Sequence, residues 1–148
     1  MNIFNIGGKP EDKNQVVTGK KKILIVDDDK YILDFYKELL ESEGYETLTA
    51  ERGQQSIDMT FEKNPNLILL DIMMPEMDGM TVFSILKEKG VTTPVIFLTN
   101  AGDTTNLLQA AKEAAAGFLI KSDIEPEYLL QRIKEVLSGN SSKISDFL

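Results

Sequence analysis

Three short apolar runs, Ile-Leu-Ile-Val at 23–26, Leu-Ile-Leu-Leu at 67–70 and Val-Ile-Phe-Leu at 95–98, constrain this chain more than any other feature. Each is continuous rather than alternating and too short for a helix, which is the pattern of a strand covered on both faces. Helical stripes lie between them. Tyr31, Ile32, Phe35, Tyr36, Leu39 and Leu40 recur three and four apart and stop at Gly44. A shorter helix with Ile57 and Phe61 on one face ends before Pro65. Val82, Phe83, Ile85 and Leu86 form the next stripe, closed by Gly90. An Ala-rich helix is predicted over 104–116, stopped by Gly117, and Pro126 opens a last helix striped by Leu129, Ile133, Val136 and Leu137. Residues 45–50 and 118–120 read as the second and fifth strands.

Five strands alternating with five helices predict an α/β fold, a parallel sheet with helices on both faces, because crossovers between parallel strands are right-handed. In the flavodoxin-like order 2-1-3-4-5, strands one and three are neighbours, and ligands gather beyond the carboxyl ends of the strands. The length of 148 residues suits one domain. Residues 1–20 read as a flexible leader, 21–138 as the domain and 139–148 as a short tail, leaving no room for a DNA-binding or catalytic module after the last helix.

Composition removes several function classes. With 24 acidic against 16 basic residues the net charge is −8, which disfavours nucleic acid as a partner. There is no cysteine and no histidine, so thiol chemistry, imidazole bases and phosphohistidine carriers are excluded from this chain. No apolar stretch reaches the roughly 18 residues of a membrane span, and the first residues lack a signal-peptide pattern. The expectation is a cytoplasmic protein without membrane insertion.

The chemistry sits where the strands end. The first run closes on Asp27-Asp28-Asp29 and the third on Asp71, and the order 2-1-3-4-5 brings Asp27, Asp28 and Asp71 to one rim. Unit charges 4 Å apart repel by about 4 kcal/mol at an effective dielectric near 20, so a cation is needed. Hard oxygen ligands favour Mg2+ or Mn2+. Thr99 and Lys121, at two further strand ends, add a hydroxyl and an ammonium. A carboxylate in such a setting can attack phosphorus and form an acyl phosphate. Asp71 is the expected nucleophile, because it stands alone on its strand ahead of a loop built around Pro75 and Gly79, and Asp27 and Asp28 are the expected metal ligands.

Ile-Leu-Ile-Val-Asp27-Asp28, Leu-Leu-Asp71-Ile-Met-Met-Pro75-Glu-Met-Asp-Gly79, Leu98-Thr99 and Phe118-Leu-Ile-Lys121, in this order on alternating strands, resemble the receiver domain of bacterial two-component response regulators, chemotaxis-regulator-like and stand-alone. The resemblance spans about 21–138. It implies that Asp71 is the phosphoacceptor, that Asp27, Asp28, Asp71 and the Met73 backbone carbonyl hold magnesium, and that Thr99 and Lys121 bind the phosphoryl group. Thr99 and Phe118 would form the switch, with Phe118 moving inward. The implied donor is the phosphohistidine of a sensor histidine kinase or a histidine phosphotransfer protein, and the output a downstream protein target. A homodimer through the fourth helix, fifth strand and fifth helix is a further implication, with Asn106, Gln109, Lys112, Glu113, Gln131 and Lys134 on that face. The chain carries Ser122 where the family usually has proline, Asn100 in place of a small residue, and Phe118 in place of the commoner tyrosine.

Simpler readings accompany these. Asp29 is an ordinary helix-start acid, Asp78 a turn residue beside Gly79, and Met73, Met74 and Met77 are core cover. One rival is a phosphatase of the haloacid dehalogenase type, with Asp27 as nucleophile and Asp29 as acid/base, which would leave Asp71 unexplained. Another is a degenerate receiver that only binds partners, which the complete set of acids, hydroxyl and lysine disfavours.

Overall fold

The computed structural model describes residues 19–100, 116–121 and 125–139. The leader over 1–18, the predicted helix over 104–116 apart from its last residue, with Asn106, Gln109, Lys112 and Glu113, the loop position Ser122 and the tail from 140 onward lie outside the described residues. In chain order the elements are β1 (Lys22–Val26), α1 (Lys30–Ser42), β2 (Glu46–Ala50), α2 (Gly53–Lys63), β3 (Leu67–Asp71), α3 (Gly79–Glu88), β4 (Val95–Thr99), β5 (Gly117–Ile120) and α4 (Pro126–Leu137). All four strand pairings are parallel. The sheet order β2-β1-β3-β4-β5 is the expected 2-1-3-4-5.

Side chains alternate across the sheet into two cores, because successive strand residues point to opposite faces. Ile23, Ile25, Leu67, Leu69, Ile96, Leu98 and Leu119 face Leu33, Tyr36 and Leu40 of α1 and Leu129, Ile133 and Val136 of α4. Leu24, Val26, Ile68, Leu70, Val95, Phe97 and Phe118 pack with Ile57 of α2 and Val82, Phe83 and Leu86 of α3. The strands of β1, β3 and β4 are buried along almost their whole length, as their unbroken apolar runs require.

Two helical faces differ from the sequence expectation. In α1, Tyr31 is 85% and Phe35 53% exposed, and the buried stripe is Leu33, Tyr36 and Leu40, with Ile32 and Leu39 partly buried beside it. At about 100° per residue Tyr31 and Phe35 project roughly opposite Leu33, so one helix cannot bury both sets. In α2 the buried face is Gly53, Ser56, Ile57 and Thr60, which leaves Phe61 at its edge, about half exposed.

Candidate functional site

Alternation along the strands decides which groups meet at the carboxyl rim. Asp27 follows Ile23 and Ile25, Asp71 follows Leu67 and Leu69, and Lys121 follows Leu119, so all three emerge on the α1 side of the sheet. The pairing of β1 with β3 places Val26 opposite Leu70, one residue before each carboxylate. Asp27 and Asp71 are buried, with Asp28 exposed beside them, and one oxygen from each lies within 4.8 Å of the others.

Lys121 joins the two buried acids. Its Nζ donates to Asp27 Oδ2 at 2.6 Å and lies 3.3 Å from Asp71 Oδ1. Asp27 Oδ1 also accepts the Asp29 N–H at 2.9 Å. The contact of Asp71 Oδ1 with the ammonium is an ion pair without hydrogen-bond geometry, and this buried oxygen accepts no hydrogen bond. Burial, reinforced by the charge of Asp27 and opposed by Lys121, pushes the Asp71 carboxyl up to about 7. For Lys121, burial disfavours the charge, but the Asp27 hydrogen bond and the Asp71 and Asp27 carboxylates outweigh it, so the ammonium is held above its ordinary value. Three clustered carboxylates, one of them with an unsatisfied buried oxygen, suit a hard divalent cation with oxygen ligands.

Both loops that follow the acids are fixed locally. Asp29 caps α1 by accepting the Tyr31 N–H at 2.9 Å, as an acid at a helix start does. Asp78, read from sequence as a turn residue, is the N-cap of α3 and accepts the Thr81 N–H at 2.8 Å. Gly79 lies so close to the strand end that a Cβ there would collide with the Asp71 carbonyl oxygen, and its N–H donates to Ile72 O at 2.7 Å. Between these anchors, Glu76 takes a φ of 70° and Met77 N–H closes on Pro75 O at 2.7 Å, a tight turn about a left-handed residue.

The remaining residues singled out in the sequence take three environments. Thr99 ends β4 fully buried, on the same side of the sheet as Phe97 and Phe118. Phe118 is already packed in the core at 4% exposure, whereas the sequence reading has it arriving there on switching. Met73 is half exposed, while Met74 is buried and Met77 partly buried against the core. Sequence reasoning missed Arg132. It is 3% exposed, pairs with Glu135 at 2.8 Å and donates to Ala116 O at 3.2 Å. Its only trace in the sequence is a position beside Ile133, one turn from Leu129. No helix among the described residues is long and apolar enough to cross a membrane.

Comparison with known proteins agrees with this geometry. Residues 23–134 match the response regulator receiver domain. The transcriptional regulatory protein SrrA of Staphylococcus aureus is 37% identical over 121 residues, covering 82% of this chain and 49% of the relative. The chain thus spans about half the length of the curated relatives it matches. Among solved structures, the Francisella response regulator 1452 receiver domain is 30% identical with a TM-score of 0.74, covering 81% of this chain and 98% of that one. A CheY-like receiver domain protein from Methanospirillum hungatei is 32% identical with a TM-score of 0.74, over 82% and 97% of the two chains. With the family match covering most of the sequence and the acidic rim in place, the chain belongs to the response regulator receiver domain family.

Proposed function

We propose that this chain is a phosphoacceptor response regulator in which Asp71 takes a phosphoryl group from the phosphohistidine of a sensor kinase or histidine phosphotransfer protein. Receiver-family membership implies a phosphoacceptor role in two-component signalling. The choice of Asp71 is carried by one observation: its Oδ1 is buried, accepts no hydrogen bond and lies beside Asp27, Asp28 and Lys121. In the transfer, an Asp71 oxygen forms the new bond to phosphorus, the nitrogen–phosphorus bond of the donor breaks, and the departing imidazole takes up a proton. Asp27, Asp28 and Asp71, with the Met73 carbonyl, would hold magnesium or manganese, which when bound neutralises the carboxylates and binds a phosphoryl oxygen. Lys121 moves its ammonium from the carboxylates toward the phosphoryl group, and Thr99 supplies a hydroxyl to it.

The readout is a protein–protein interaction in the cytoplasm, with Thr99 and Phe118 as the coupled switch and the fourth-helix, fifth-strand and last-helix face as a candidate surface, including dimerisation. Since Phe118 is already buried, the switch works by altering the packing around it. The phosphatase reading loses support from the same contacts. Asp27 is bound on both oxygens and Asp29 is occupied as a helix cap. Incubation with Mg2+ and acetyl phosphate, followed by intact mass measurement, is the test. One phosphoryl group on wild type and none on Asp71→Asn supports the reading, and adduct retained by Asp71→Asn but lost from Asp27→Asn replaces it with the phosphatase.

A further inference from the structure

The turn from β2 into α2 touches both acid-bearing strand ends. Ala50 O, at the end of β2, accepts the Asp27 N–H at 3.1 Å. Beyond it Gly53 opens α2 and receives the side chain of Met77, from the loop that follows Asp71. A Cβ built on Gly53 would stand 2.9 Å from Met77 Cβ and 3.0 Å from its Cγ and Sδ, closer than side chains approach one another. Met77 Cβ belongs to a backbone whose N–H closes on Pro75 O at 2.7 Å, so it cannot swing aside as the tip of a side chain would. The glycine does not serve a special backbone angle, since its φ lies outside the left-handed range. Glycine is also a poor helix residue beside alanine. Space for Met77 is what offsets this breach of local preference. Arg52 and Glu76 meet beside the contact at 3.9 Å, but both are exposed and such a pair holds little.

We propose that Gly53 is a positioning residue for the metal site: by admitting Met77 it sets the place of the 72–78 loop, and with it the Met73 carbonyl assigned above to magnesium. The proposal rests on the phosphoacceptor reading. Met73 and Met77 lie in one short ring, closed by the Gly79 N–H on Ile72 O at 2.7 Å and by the Asp78 cap of α3. With both ends held, a shift forced at Met77 passes along the ring to Met73. The bond from Asp27 to Ala50 ties the same turn to the acid on β1, so the loop is displaced relative to the carboxylates rather than together with them.

The test is a double-mutant cycle with Gly53→Ala, Met77→Gly and the pair, in the full chain. Two quantities are measured: the Mg2+ dependence of phosphorylation by acetyl phosphate, and Mg2+ binding without phosphodonor, followed through the 13Cε methyl resonances of labelled methionines. Gly53→Ala keeps the far-UV spectrum, moves the Met77 methyl resonance in metal-free protein and raises the Mg2+ midpoint in both titrations by about tenfold, the scale of a change behind a metal ligand. The rate at saturating Mg2+ stays within about twofold of wild type, because the nucleophile is untouched. Met77→Gly removes all three atoms that the new methyl group strikes, and in that background Gly53→Ala has less than about a twofold effect, since coupled sites are not additive. An unmoved Mg2+ midpoint, a loss confined to the saturating rate, or an equal rise in both backgrounds overturns the proposal and leaves Gly53 as packing alone. Failure of the phosphoacceptor reading shows differently, as no adduct on wild type. The methyl titration needs no phosphodonor and then decides alone whether Gly53 sets Mg2+ affinity, and wild-type methyl resonances that ignore Mg2+ overturn the proposal as well.

Discussion

Asp27 and Asp71 end neighbouring strands, are both almost completely buried and share one lysine. Their hydrogen bonds separate them. Asp27 accepts a backbone N–H on one oxygen and the ammonium on the other, whereas Asp71 faces the same ammonium at longer range with an oxygen that accepts nothing. Removal from water disfavours a carboxylate unless hydrogen bonds replace the lost solvation. Asp27 has that replacement. Asp71 lacks it, which raises the energy of its ionised form and leaves an oxygen free to meet a cation or phosphorus. Burial alone therefore does not separate the two acids; the donors around each do.

The sharpest way to break this contrast is to neutralise each acid in turn. Asp71→Asn lowers phosphoryl incorporation by more than about a hundredfold, whereas Asp27→Asn slows it about tenfold and still yields adduct, the scale of a lost charge partner against a lost nucleophile. Intact mass time courses with acetyl phosphate read both. Equal losses would remove the distinction. Lys121→Met comes next. It strands two buried carboxylates and lowers stability by on the order of 3 kcal/mol in metal-free buffer, with Mg2+ recovering part of the loss in urea titrations.

The pH dependence isolates Asp71. Its folded-state value of about 7 lies above its ordinary 3.8, so the folded protein retains a proton that the unfolded chain releases. Stability from this group is complete below about pH 4, is lost as pH rises through about 7, and is then level. The swing is on the order of 4 kcal/mol, read as the difference in unfolding free energy from urea titrations between wild type and Asp71→Asn across that range. A constant difference across that range would show that Asp71 is not perturbed. The smallest effect concerns the loop after Asp71. Glu76→Gly relieves a positive φ and raises stability by about 0.5 kcal/mol, seen as a small rise in the thermal midpoint without loss of phosphorylation.

Much of the fold is legible in the sequence because buried parallel strands have no polar face to confuse the pattern. The runs at 23–26, 67–70 and 95–98 mark β1, β3 and β4, and the groups at or just after the strand ends include Asp27, Asp71, Thr99 and Lys121. Helical faces read less well. α1 carries more apolar residues than one face can bury, and sequence spacing favours Tyr31 and Phe35 as readily as Leu33. Arg132 is hidden for the opposite reason, since a cation buried through a carboxylate and a carbonyl looks like a surface residue until its partners are located. The meeting of Asp27, Asp28, Asp71 and Lys121 at one rim is readable from the strand ends, but the inequality between Asp27 and Asp71 depends on individual oxygen contacts that no spacing encodes.

Gly79 fixes the length of its loop. One end is held by the contact of its backbone with Asp71 and Ile72, the other by the Asp78 cap, so the segment from 72 to 78 closes like a ring of set circumference. An added residue would have to bulge at the exposed Glu76 apex or prise the helix from the strand. Homologous sequences that vary freely elsewhere should therefore keep this spacing constant, even where the identities at 73 and 76 drift.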